Sequence, residues 1–110
     1  MPKYLVLFTY SEESLAAMID NPVDREPAIV RVLESVGARL EVFYWMFGPN
    51  DGMAVVEAPD SVTMAGVSAA VTSTGTDRAE THELFSTDDI RRILQTARRA
   101  RDHFDLPGQG

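Results

Sequence analysis

The sequence predicts an α+β domain in which four strands and their helices run strand, helix, strand, strand, helix, strand, helix. Three observations carry that expectation. Segments 3–10, 38–47 and 53–59 are short apolar runs rich in β-branched and aromatic residues, and 76–85 alternates polar with apolar. The segments between them carry apolar residues at helical spacing behind good capping residues. Finally, the first and third strands are apolar on both faces, whereas the second and fourth carry charges, as central and edge strands should.

The first strand, "KYLVLFTY", ends at Ser11, a natural N-cap with Glu12 and Glu13 in the turn where the helix dipole favours anions. "DNP" at 20–22 breaks that short helix. A second piece starts between Asp24 and Pro27, because proline is tolerated only near a helix start. Ile29, Val32, Leu33 and Val36 form its stripe and Gly37 its C-cap. Strict alternation along the second strand puts Leu40, Val42, Tyr44 and Met46 on one face. Arg39, Glu41, Phe43, Trp45 and Phe47 fall on the other. "GPNDG", residues 48–52, has the turn chemistry of a hairpin. Asp60 caps a helix of small side chains, among them Ala65, Gly66, Ser68, Ala69 and Ala70. Such a thin helix either approaches a sheet closely or leaves space beneath it. Gly75 ends it, and Ser86 with Asp89 forms a capping-box pattern opening a last helix to about residue 103. This is the split βαβ, or ferredoxin-like, βαββαβ pattern with an extra C-terminal helix. One domain is expected over 1–104, followed by a flexible tail at 105–110.

Composition narrows the function classes. A length of 110 residues allows a single core, and 45 % hydrophobic with 25 % charged residues is ordinary for a globular chain. A net charge of −7 opposes nucleic acid and anionic membrane as partners. Arg91, Arg92, Arg98, Arg99 and Arg101 nevertheless make a basic face on the last helix. Without cysteine there is no disulfide, thiolate catalysis or cysteine-ligated metal. No segment has a signal-peptide layout or the ~20 apolar residues of a membrane span, so a cytoplasmic location is expected.

Three segments together resemble the GYD domain family of small bacterial proteins: "MPKYLVLFTY", "FYWMFGPNDGMAVVEAPD", and Arg78, Glu80, Thr81 and Phe85 in the fourth strand. The likeness runs from Met1 to about Leu94. It implies kinship in fold with the dimeric α/β-barrel proteins, hence a homodimer through sheet-to-sheet packing, but no particular reaction. That larger group includes cofactor-free monooxygenases, lactone isomerases, haem-binding enzymes and sensor domains. The tyrosine of the family's motif is replaced here by Asn50, so no phenol can act there. His82 stands where an aliphatic residue is expected.

Residues that could carry chemistry are sorted by the expected strand directions. With the first and third strands taken as parallel, one sheet end collects Tyr10, Arg39, Glu41, Glu57, Arg78 and Glu80. The other collects Lys3, Trp45, Asn50, Asp51 and His82. Glu57 ends an apolar central strand, where burial would raise its pKa toward general-base range unless Arg78 or Arg39 holds it ionised. His82, oriented by Asp51, could serve as acid or base. Tyr44 and Trp45 could wall a flat ligand or belong to a dimer interface. The binding set is therefore Tyr10, Tyr44, Trp45, Asn50, Arg78 and Glu80, and the catalytic set His82, Glu57 and Asp51. Zinc would need three or four convergent ligands, and His103 lies in the distal helix without suitable spacing, so no metal or cofactor is expected.

Two functions fit. One is a homodimeric module that binds a small ligand or another protein. The other is a cofactor-independent enzyme, of monooxygenase or isomerase type, acting on an aromatic or enolisable small molecule. In the second, His82 or a glutamate would abstract a proton, with Arg78 or Asn50 steadying the anion.

Overall fold

The computed structural model describes residues 1–75 and 77–108. β1 (Lys3–Tyr10) leads into α1 (Glu12–Asp20) and α2 (Glu26–Glu34), followed by β2 (Arg39–Trp45) and β3 (Gly52–Glu57). Then come α3 (Ser61–Ser73), β4 (Asp77–Leu84) and α4 (Thr87–Arg101). Thr76, expected to open the fourth strand, lies outside the described residues, as do the last two of the tail.

The local signals act where the sequence places them. The Ser11 hydroxyl accepts from the Ser14 amide at 3.0 Å, and the Asp60 carboxylate accepts from the Thr63 amide at 2.8 Å. Ser86 and Asp89 close a reciprocal capping box. Pro27 sits in the first turn of α2, where an amide N–H has no helical acceptor to lose. Gly37 follows that helix with φ of 76°, a left-handed conformation glycine adopts without a Cβ penalty. Among the described residues, no helix is long and apolar enough to cross a membrane.

The strands form one sheet in the order β2-β3-β1-β4, with β1 and β3 central. Every adjacent pair is antiparallel, including β1 with β3. This corrects the parallel relation expected for those two. Each helical crossover skips one strand, so β1 runs with β2 and β3 with β4, while the strand filling each gap runs the other way.

The core lies on one face of the sheet. Tyr4 and Val6 of β1 and Ala54 and Val56 of β3 pack with Leu33 of α2, Met64 of α3, Ala38 and Ala58. The buried Tyr4 ring keeps its hydroxyl satisfied at 3.0 Å from Ser61 Oγ, which donates in turn to a Glu83 carboxylate oxygen.

A second correction concerns β2. Its register against β3 shifts between Leu40 and Val42, so Leu40 faces Val56, Val42 faces Val55, Phe43 faces Ala54 and Tyr44 faces Met53. Leu40 and Phe43 therefore pack against the core together. Val42 and Tyr44 turn to the opposite face. One bulged residue, Glu41, swaps the parity of everything after it, which strict alternation could not anticipate.

The last helix stands apart. α4 buries no residue, and Ile90, Ile93 and Leu94 of its apolar stripe are exposed along with its arginines. The chain has a radius of gyration of 18.1 Å and a longest dimension of 60 Å. About 13 Å is expected of a compact domain this size, and the excess fits a helix about 22 Å long projecting from the body.

Gly52 opens β3 where three strands crowd together. A Cβ there would lie 2.9 Å from the Phe8 ring and 3.3 Å from the Tyr44 carbonyl oxygen. The Phe8 ring is backed by Phe43, with centroids 5.6 Å apart, and has little room to yield. Gly52→Ala should therefore lower stability by about 1–3 kcal/mol, as overpacking does. Urea unfolding checks this as a lower midpoint at unchanged slope.

Candidate functional site

Antiparallel pairing regroups the polar residues. At one sheet end, Lys3 pairs with Glu57, and Glu57 with Arg39. Arg39 Nη2 donates to Glu57 Oε2 at 2.8 Å, and Lys3 Nζ lies 3.1 Å from Glu41 and 4.0 Å from Glu57. The Glu57 pKa is lowered, first by a hydrogen bond with the Glu41 carboxyl and then, against a smaller desolvation effect, by Arg39 and Lys3. Of the two outcomes left open for Glu57, this is the one in which a cation, Arg39, helps to hold it ionised. Arg78, the other cation considered for it, is paired with Thr9 toward the far end of β1.

His82 and Asp51 are not brought together. His82 pairs with Leu5, toward the Lys3 end, and its Nε2 lies 3.3 Å from Glu80 on the exposed side of β4. Asp51 is at the other end, where its carboxylate accepts from the Tyr10 amide at 2.8 Å and its own amide donates to the Phe8 carbonyl at 2.8 Å. Asn50 beside it accepts from the Thr9 hydroxyl at 3.2 Å. The "GPNDG" bend is thus tied to the end of β1 by side chains as well as backbone. The enzyme reading loses the support it drew from a His82–Asp51 pair. Among the described residues, no group of three or more carboxylates and histidines is placed to hold a metal ion.

A cavity of about 250 Å³ lies on the core side, between the sheet and helices α2 and α3. Its walls are mostly apolar, with Val6, Phe8, Ile29, Val67, Val71 and Ala79 among them. From α3 the wall takes Met64, Val67, Ser68 and Val71, whereas the small Ala65, Gly66, Ala69 and Ala70 are exposed on the other side of the helix. Ser68 and Thr81, which also line it, satisfy each other at 2.6 Å.

Three polar side chains gather at one end: Tyr10, Arg25 and Asp77. β1 and β4 place Tyr10 opposite Asp77, and Arg25 comes from the N-terminus of α2. Burial raises the Tyr10 pKa, and the Arg25 guanidinium beside it pulls the other way. Asp77 is likewise raised by burial, with Arg25 and Ser14 opposing. The Nε of Arg25 is buried without a hydrogen-bond partner. Trp45 stacks on Tyr10 at 5.6 Å and meets Phe43 edge-on at 5.8 Å, so it braces the phenol ring from behind.

Of the binding residues read from sequence, then, only Tyr10 lines the cavity, with Trp45 supporting it. Arg25 and Asp77, which line its polar end, were not singled out from the sequence. A signal for Arg25 did exist: a cation at a helix N-terminus opposes the helix dipole, so something other than helix stability holds it there.

The opposite face of the sheet carries Leu5, Leu7, Val42, Tyr44, Met53 and Val55 at its centre, paired with one another across the strands. Lys3, Arg39 and Glu57 lie at one end of it, with Arg78, Glu80 and His82 along β4. No residue of this face is fully buried, and Tyr44 is 65 % exposed.

Fold and cavity define a small ferredoxin-like α+β domain with space beneath its helices and an open sheet face. The chain belongs to the GYD domain family, whose model matches residues 4–94. It is 31 % identical over 91 residues to a Thermus thermophilus protein named glutamine synthetase and cystathionine beta-lyase binding protein. The match covers 82 % of this chain and 95 % of that protein. Among solved structures it is similar to LrpC of B. subtilis, at a TM-score of 0.42 and 17 % identity. That alignment covers 77 % of this chain but only about half, 51 %, of the LrpC chain.

The charge cluster at the Lys3 end has a pH consequence. Because the Glu57 pKa is lowered from its ordinary 4.5, its stabilisation is present above that value and is lost as pH falls through the folded-state value. Glu57→Gln should flatten the acid limb of stability below about pH 4.5 and reduce its salt sensitivity, read from thermal melts across pH and ionic strength.

Proposed function

We propose that the chain is a homodimeric interaction module that binds other proteins, with the open sheet face closed by a second copy. The observation carrying the dimer is that face itself. Its centre of Leu5, Leu7, Val42, Met53 and Val55 is apolar, whereas the surrounding positions bear both signs, Lys3, Arg39 and Arg78 against Glu57 and Glu80. A patch of mixed sign around an apolar centre suits an isologous interface, in which the same surface meets itself about a two-fold axis. Tyr44, exposed on this face, supplies an aromatic anchor of the kind interfaces favour.

The protein-binding half rests on the relative whose name states that it binds two enzymes, glutamine synthetase and cystathionine beta-lyase. It draws further support from α4, which projects an apolar stripe flanked by arginines and buries none of its own residues. Closing the sheet face in a dimer would leave such a helix as surface for an acidic partner.

Sedimentation tests the dimer. The wild type should sediment as a dimer at micromolar concentration, and Val55→Glu, which sets a charge in the apolar centre, should give a monomer with an unchanged far-UV spectrum. A monomeric wild type would overturn the assembly. For the partner, immobilised glutamine synthetase and cystathionine beta-lyase are the direct probes. Saturable binding to at least one is expected, weakened at least about tenfold when Ile93 and Leu94 are replaced by serine, as for loss of interface anchors. Failure to bind either enzyme would remove that extension from the relative to this chain.

A further inference from the structure

The geometry points to the cavity beneath α2 and α3 as a binding site for a small aromatic compound bearing one oxygen acceptor, a carboxylate or carbonyl, held by the Arg25 guanidinium. The inference goes beyond protein binding and does not depend on it.

Three independent features converge. The first is the space itself. A cavity of about 250 Å³ is just below the roughly 300 Å³ where pockets for drug-sized molecules begin, so it suits one or two fused rings and excludes a nucleotide or haem. The second is the chemistry of the wall. Most of the lining is aliphatic or aromatic, and its Ser68 and Thr81 hydroxyls already bond each other, so the long walls ask for an apolar body. Phe8 and Tyr10 present rings to it, and Tyr10 is held by the stacked Trp45 behind it. Flat aromatic guests gain most from such surfaces.

The third feature is the polar end. Arg25, a permanent cation, lines this end beside Tyr10 and Asp77, and its Nε is buried with no acceptor. A buried donor left unmet is destabilising, and so is a cation at a helix N-terminus. An oxygen acceptor bound against the guanidinium offsets the second, and a carboxylate adds a charge-assisted bond. Arg25 makes no side-chain cap on α2, so the helix does not explain its position.

Three probes of one shape test this: 2-naphthoate, 2-acetylnaphthalene and naphthalene, titrated into the full chain by calorimetry or fluorescence. The first two should bind at one per chain and at least about tenfold tighter than naphthalene, the advantage of one good buried hydrogen bond. Naphthoate ahead of acetylnaphthalene assigns the natural group as a carboxylate; the reverse assigns a carbonyl. Arg25→Met should bring all three to the affinity of naphthalene, whose retained binding shows that the cavity is intact. Val71→Trp, which fills the cavity, should abolish binding of all three. Amide shift changes should cluster at Tyr10, Arg25, Val71 and Asp77 and spare Leu7 and Val55 on the opposite face. Equal affinity for naphthalene and naphthoate would overturn the role of Arg25. No binding of any probe at millimolar concentration, or shifts confined to the open sheet face, would overturn the site. Sedimentation of the same samples reports the dimer separately, so either proposal can fail alone.

Discussion

The antiparallel pairing of β1 with β3 is the constraint on which the rest of the molecule depends. It sets Tyr4 and Val6 beside Val56 and Ala54, the residues on which α2 and α3 close. It also decides which polar groups meet. Running these strands in opposite directions puts Lys3 beside Glu57 and brings the bend after β2 to the end of β1, where Asp51 takes the Tyr10 amide. Had the two strands run parallel, His82 would share an end with Asp51 and Glu57 would share one with Arg78. Strand direction alone thus separates a hypothetical acid–base pair from the cluster that exists.

The bulge at Glu41 is the second decision and follows from the first. With β3 fixed against β1, its partner β2 must bury Leu40 and Phe43 on the same side, and an extra residue between them achieves this. The same shift releases Val42 and Tyr44 to the open face, completing its apolar centre, and swings Trp45 onto Tyr10. One inserted residue therefore serves both faces: it braces the polar end of the cavity and builds the surface proposed for the second copy. Bulges commonly re-aim side chains beside functional sites.

The helices contribute unequally. α2 gives Leu33 and α3 gives Met64 to the core, and Ile29 and Val32 of α2 with Val67 and Val71 of α3 wall the cavity beside it. α4 contributes nothing buried. Its stability as a helix rests on local features, a capping box, acids in its first turn and arginines in its last, all of which favour the dipole. A helix so well capped yet so poorly packed has an apolar stripe available for contact outside its own fold.

The sequence by itself determined whatever depends on near neighbours in the chain. The elements, the caps at Ser11, Asp60 and Ser86, the glycine after α2, and the central and edge ranks of the strands follow from periodicity, capping and burial pattern. Their interactions span only a few residues, so they can be read along the chain. Tertiary structure alone decided strand direction, the parity of β2 past Glu41, and the meeting of Tyr10, Arg25 and Asp77. Those three side chains come from a strand end, a helix start and a distant strand. Nothing in their local sequence fixes their distance from one another; packing of α2 and α3 over an antiparallel sheet does. The open face belongs to both: the apolar residues were legible, but which of them share a face is a property of register, and register is set by long-range pairing.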